Sequence, residues 1–388
     1  SGTTGDVTNT GTFNNNSGGV TGDVTNNNGW FYNSGTTGTV TNSSGGIFDN
    51  YLAGITGNVT NGSSSTFNNS GTTGTVSNAG TFNNNATGTT GAFTNTGTLT
   101  NAGTVASLTN SGTATNSGTI SGATTNTGTF TNTGTMDDLT NSGTADNYGG
   151  TMGDVTNTGT FTNWINSTIA SLTNSGTATN DGTITGTITN SGSLTNTGTA
   201  GDVTNTASGS MTNSGTVGDV ANAGTLDNSG SAGDVNNTGT VNNLVGGVMA
   251  SLTNSGTASN AGTITGTVTN SSGTFTNSGT TGDWTNDDTI TNSGTMGNGT
   301  NNSGATYTNS GTVGDVTNAG TMDNNGGTTG DVTNTGTFTN WASSLVASLT
   351  NSGTASNSGT ITDLDNSGTL DNDGTIIDAD NTNVLNNL

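Results

Sequence analysis

Residues 217–243 read VGDVANAGTLDNSG followed by SAGDVNNTGTVNN. The apolar residues Val217, Val220 and Leu226 return as Ala232, Val235 and Val241, each shifted by 15 residues. Successive apolar positions are thus separated by 3, 6 and 6 residues, with Asn-x-Gly-Thr standing between the sixes. A short fixed period of this kind is the signature of stacked coils, none of which buries a core alone. The pattern predicts short strands around each apolar residue and turns at each Asn-x-Gly. Helix is excluded in practice, because β-branched residues, Gly, Asn, Ser and Asp dominate and all are poor in helix interiors.

The segment Ala-Ser-Leu-Thr-Asn-Ser-Gly-Thr-Ala begins at Ala106, Ala170, Ala250 and Ala347, with gaps of 64, 80 and 97 residues. These are close to four, five and six times 16, so the expected fold class is all-β. It is a parallel β-solenoid (β-helix) of roughly 24 coils of about 15–17 residues. Identical positions should stack into ladders. Val24, Val155, Val203, Val220, Val235, Val316 and Val332 belong to one, and Phe130, Phe161, Leu226, Phe275 and Phe338 to another. Trp284, in place of Val, reads as a core residue of a swollen coil. The Asn two places after an apolar residue marks a corner, and stacked Asn amides can bond from coil to coil as in cross-β assemblies. Gly in the corner supplies a turn conformation.

Regularity divides the chain into three parts. Residues 1–95 read as irregular solenoid coils with loop insertions at 26–32 and 47–52, residues 96–375 as regular coils, and residues 376–388 as a terminal cap or docking segment. In three longer coils the extra residues follow an Asn corner and bring Trp164, Leu244 and Trp341 to one place. The plain expectation there is a local cap packed onto the solenoid. The functional alternative is ligand contact through Trp164 and Trp341, with glycans as the ligand class.

Composition alters the picture at two points. Hydrophobic residues make up only 25% of the chain and the net charge is -24, a profile that by itself suits disorder. A disordered tract has no reason to keep apolar residues in phase over hundreds of residues, so the period decides. There is no Lys, Arg, His, Cys or Pro, and every acidic residue is Asp. Without a cationic side chain, nucleic-acid binding is excluded as a function class. No apolar run approaches the length of a membrane span. The chain opens on Ser1 within the repeat pattern, which reads as a processed form or a fragment.

Asp202, Asp219 and Asp234 stand in Gly-Asp-Val on three consecutive coils. Carboxylates stacked about 5 Å apart repel one another, which makes them the candidate metal site, with calcium as the candidate cofactor because it accepts carboxylates in loose geometry. Thr-x-Thr pairs at 129/131, 160/162, 183/185, 263/265 and 337/339 are expected to flank the third apolar position on the outer face, an arrangement similar to the ice-binding faces of solenoid antifreeze proteins. The dipeptides Asp137-Asp138 and Asp287-Asp288 are the nearest approach to a catalytic pair. Neighbours in a strand point to opposite faces, so no enzyme is expected and no catalytic residue is assigned.

The Gly-Asp-Val-Thr-Asn and Thr-Asn-Ser-Gly-Thr repeats, which cover nearly the whole chain, resemble the β-helical passengers of secreted bacterial surface proteins, the autotransporter and filamentous-haemagglutinin-like adhesins. That resemblance implies an extracellular, cell-surface rod acting in adhesion or as a matrix fibre. The chain begins in mid-pattern, so the expected partner is a second copy in a head-to-tail homopolymer, with surface glycans as a further partner and no nucleic acid or membrane span. The alternative function is ligand binding, to ice through the Thr ranks or to glycans through the Trp corners.

Overall fold

The computed structural model describes residues 2–387. The chain forms two compact units, Ser1–Leu194 and Thr195–Leu388. Each is a parallel β-solenoid with no helix among the described residues, and together they comprise about 24 turns. Each coil has two faces. The long face carries a strand such as Ser231–Asn237, and the short face one such as Thr240–Asn243. Two corners, Asn-x-Gly in their shortest form, join them. Register is strict: Val203 pairs with Val220 and Val220 with Val235 on the long face, while Thr225-Leu226-Asp227-Asn228 pairs with Thr240-Val241-Asn242-Asn243 on the short one.

Strand alternation buries one side chain in two. The long face sends two residues inward and the short face one, so each coil has a trio of core residues, apolar for the most part but with Thr at a long-face place in several coils, such as Thr73, Thr124 and Thr329. The trios are coupled. Wherever Ala takes the third place, Leu takes the second: Leu108 with Ala114, Leu139 with Ala145, Leu172 with Ala178, Leu252 with Ala258, and Leu349 with Ala355, all buried. Wherever Phe is third, the second is Val or Thr, as in Val155 with Phe161 and Thr124 with Phe130. The near-constant coil perimeter fixes the interior cross-section, and a close-packed core has to keep its volume. This explains the recurring Ala-Ser-Leu-Thr-Asn-Ser-Gly-Thr-Ala segment as a Leu-for-Ala exchange. The most extreme case is Trp284, buried at 3% exposure. Its long-face neighbour in the next coil is Gly299, where any Cβ would enter the indole. Tyr307, fully buried, fills the space left beside Gly299 and stacks on Trp284 with ring centroids 4.4 Å apart.

Both corners carry an Asn ladder. Asn222 Nδ2 donates to Asn237 Oδ1 at 2.8 Å, and Asn228 Nδ2 donates to Asn243 Oδ1 at 2.9 Å. A carboxamide has two N–H groups. One serves the next Asn, and the other lies between two carbonyls, for Asn222 those of Gly224 at 3.1 Å and Thr240 at 2.8 Å. Fully buried amides are thereby satisfied without water.

The corner glycines differ from expectation. In the two-residue Asn-x-Gly corner, Gly239 does not have a positive φ; a Cβ there would collide with the carbonyl oxygen of Gly224 in the coil before. Close stacking, not a left-handed turn, demands glycine. Positive φ is confined to longer corners, at Gly149 and Gly246 and at the non-glycine Asn166 and Ser343 among others.

Two further expectations are corrected. The stretches read as loop insertions contain strands, Trp30–Asn33 and Ile47–Asn50. They place Phe31 and Phe48 in a core stack with Phe13 and Phe67, neighbouring centroids being 4.7–4.9 Å apart. What lengthens these coils is their corners, which raise the coil step to as much as 19 residues. Thr183 and Thr263 lie in the long face beside Ile184 and Ile264, whereas Thr129, Thr160 and Thr337 flank Phe in the short face. The five Thr-x-Thr pairs therefore do not form one rank. Residues 375–387 continue the coil pattern, pairing with Thr360–Asn366 and Thr369–Asn372, and leave Ile377 and Val384 exposed.

Candidate functional site

Asp202, Asp219 and Asp234 stack on consecutive coils, as their spacing implied. Each carboxylate accepts a hydrogen bond from the next coil, two of them from a backbone N–H and the third from a hydroxyl. Asp202 Oδ1 accepts the amide N–H of Asp219 at 3.0 Å, Asp219 Oδ1 accepts that of Asp234 at 2.9 Å, and Asp234 Oδ1 accepts the Ser251 hydroxyl at 2.7 Å. At this bend of the long face the side chain replaces a backbone carbonyl as acceptor. The preceding Gly gives it room, since a Cβ on Gly233 would meet Asp219 Oδ1. The Gly-Asp dipeptide is thus a structural unit. Asn58 and Asn298 take the same place and accept the N–H groups of Thr75 and Asp315 at 3.0 and 2.8 Å, so the position requires an acceptor and not a charge. The Asp row borders an open groove of about 400 Å³ that also includes Thr204 and Asn236. Among the described residues no group of three or more Asp side chains is close enough to hold a metal ion.

Trp164 and Trp341 lie in different compact units, at equivalent places in four-residue corners that reverse through Asn166 and Ser343 at positive φ. Each corner is pinned by a buried serine. Ser167 Oγ donates to the Asn147 carbonyl and accepts the Gly149 N–H, both at 2.7 Å. Ser344 Oγ does the same with Asn324 at 2.8 Å and Gly326 at 2.7 Å. The two Trp side chains have different surroundings. Trp164 meets Tyr148 edge-on at 6.0 Å, and its indole N–H donates to Asp146 Oδ1 at 3.3 Å. Asn325 follows the short strand ending at Asn324 where Tyr148 follows Asn147, so Trp341 has no ring neighbour of that kind.

The dipeptides considered for acid–base chemistry are dispersed into structural roles. Asp138 Oδ1 accepts the Asp154 N–H at 2.9 Å, as a member of the Asp row. Asp287 accepts from the Asn302 side chain at 2.6 Å and Asp288 from the Gly273 N–H at 2.7 Å, both in an exposed corner.

One exposed group has no forerunner among the expected site residues. Trp30 and Tyr32 flank buried Phe31 on the outer short face, with centroids 6.1 Å apart, and Tyr51 in the next corner stacks on Tyr32 at 6.2 Å and 14°. Partial desolvation, then the neighbouring Asp49 charge and Tyr32, push the Tyr51 phenol above the ordinary tyrosine range. The signal was in the sequence: Trp30-Phe31-Tyr32 alternates out-in-out, but the Asn-rich run before it reads as loop.

No protein-family model matches the chain, and no curated protein matches its sequence.

Proposed function

We propose that this protein is a structural solenoid, an extracellular rod whose function is to extend, resist and display. The observation that carries this reading is the dependence of each coil on its neighbour alone. Both Asn ladders, the Asp row and the backbone are satisfied by the next coil in register, so any coil at an edge offers a template for one more. A further coil from a second copy would extend the same ladders, which supports head-to-tail assembly into a fibre or matrix. The resemblance to β-helical passengers of adhesins supports a cell-surface location. The lack of Lys and Arg, which removes every trypsin site, suits a durable extracellular material. The carboxylates' individual hydrogen-bonding roles favour a scaffold over an enzyme.

The test is electron microscopy of the purified protein with and without a calcium chelator. Long uniform fibres are expected, and their loss in chelator would add calcium at the Asp202, Asp219 and Asp234 row. Isolated short particles under both conditions would end the head-to-tail reading. A second reading, glycan contact at the Trp corners, is favoured by the exposed Trp164–Tyr148 pair beside Asp146. It predicts binding that disappears in Trp164→Ala.

A further inference from the structure

We infer that the short face near residues 30–51 is a carbohydrate-binding platform for a neutral hexose chain. This goes beyond the scaffold reading and does not depend on it. The argument starts from what normally occupies the outward positions of the short strand. Along the register, Thr12, Trp30, Ile47 and Thr66 form one outward column, and Asn14, Tyr32, Asp49 and Asn68 the other. Elsewhere, apart from Val384, the paired short strands fill these columns with Thr, Ser, Asn and Asp. A large aromatic on a solvated strand face contributes nothing to the interior, because Phe31 already fills the core place of this coil at 0% exposure. Trp30 is 50% and Tyr51 47% exposed. Three rings in succession, with Ile47 beside Trp30 and the exposed Leu52 and Ile55 beyond Tyr51, on a solenoid whose short-strand surface is built mainly of small polar side chains, mark a recognition surface.

The geometry selects the ligand. Ring centroids step by 6.1 Å from Trp30 to Tyr32, with the planes tilted by 59°, and by 6.2 Å from Tyr32 to the nearly parallel Tyr51, so the three rings offer successive contacts to a chain of sugar units and not one flat surface. Aromatic faces and edges accept the C–H face of a pyranose, and the rim supplies hydroxyl partners. An open depression of about 320 Å³ lies between the exposed Asn14 and Asn16 amides, Ser34 and the two Tyr rings. Asp49, in the column of Tyr32 one coil on, commits Oδ1 to the Asn68 amide at 2.7 Å and thereby has its carboxylate oriented. Charge then narrows the class. The chain has a net charge of -24 and no cationic side chain, which repels uronates and sulfated glycans and leaves neutral sugars. A protein partner is disfavoured because a stable interface needs about 1,000 Å² of complementary surface, whereas the outward columns return to Thr66 and Asn68 in the coil after Ile47 and Asp49.

The experiment titrates the full chain with cellohexaose and chitohexaose by calorimetry, with hexagalacturonate as the acidic control. The variant is Trp30→Thr with Tyr32→Thr, which restores the Thr-Phe-Thr pattern native to this face and so keeps the coil; far-UV circular dichroism and the melting temperature verify that. Binding of at least one neutral hexamer, weakened about tenfold or more in the double variant as expected for aromatic anchors, and unchanged in Leu244→Ala, an exposed corner residue with no assigned role, supports the platform. Binding of neither neutral hexamer overturns it. So does binding that the double variant leaves intact, binding of the acidic control with equal strength, or a double variant whose only change is loss of self-association.

Discussion

Leu139→Val and Ala145→Phe, made singly and together, put the volume rule of the core trios to a quantitative test. Ala145 is fully buried in the short-face ladder between Phe130 and Phe161. Adding a phenyl group there, with Leu139 in place at 1% exposure, overpacks the coil and should cost about 1–3 kcal/mol. Leu139→Val alone removes one buried methylene, about 0.8 kcal/mol of transfer energy, and with the residual cavity about 1 kcal/mol. If the sites were independent, the double variant would lose roughly 2–4 kcal/mol. In the trio picture the valine vacates what the phenyl requires, and the coil then matches its neighbour Met152, Val155 and Phe161, which is buried with the same spacing between core positions as Met136, Leu139 and Ala145. The double variant should therefore be more stable than Ala145→Phe alone, with a favourable coupling of at least about 1 kcal/mol.

The assay is urea unfolding followed in parallel by far-UV circular dichroism and Trp fluorescence, because repeat arrays lose two-state behaviour more readily than globular domains. Midpoints are compared only where the two probes coincide and the slope m is unchanged. Additive losses, or a double variant less stable than the Phe single, would refute the reasoning. The pairing of Leu with Ala would then have to come from something other than cross-section.

Other consequences are read directly from the geometry. Asn157→Ala removes an amide donating to Asn174 Oδ1 at 2.8 Å and to the Gly159 and Thr177 carbonyls at 3.0 Å. It strands partners on both neighbouring coils, so urea melts should show a loss of about 2–4 kcal/mol, and a loss under about 1 kcal/mol would mean the ladder is dispensable. Gly239→Ala should destabilise by more than about 2 kcal/mol because its Cβ meets the Gly224 carbonyl, while Gly11→Ala, with open space around it, should stay within about 0.5 kcal/mol of the native chain in the same melts. Burial pushes the Tyr307 phenol far above the ordinary range. The unfolded chain therefore loses this proton first, and the associated stability is complete below about pH 10 and declines as the pH rises beyond it. Tyr307→Phe should flatten that alkaline decline in pH-dependent melts, and an unchanged slope would assign it to other groups.

The period of the apolar residues was enough to read the coils, the core ladders and the Asn ladders at the corners, because each follows from alternation and stacking alone. What the period conceals is anything decided between coils. Gly239 was legible as a corner residue, but its reason, the carbonyl of Gly224 beneath it, exists only once the coils are stacked. Asp219 looked like a member of a charged row for the same reason: from the sequence a carboxylate is a charge, whereas in the stack it is the acceptor for the Asp234 N–H, a task that Asn58 and Asn298 perform equally well. Thr183-Ile184-Thr185 and Thr129-Phe130-Thr131 look alike as tripeptides. They fall on different faces because the first leads into Gly-x-Ile-Thr-Asn and the second directly into an Asn corner. The Trp30-Phe31-Tyr32 strand was hidden by its neighbours, since three Asn residues before it suggested a loop while the alternation within it specified a strand. Bulk composition misleads in a chain this rich in Asn and Gly. The residues that depart from the repeat, Trp30, Tyr32 and Tyr51 on the surface and Trp284 with Gly299 inside, are where a function or a compensation has to be sought.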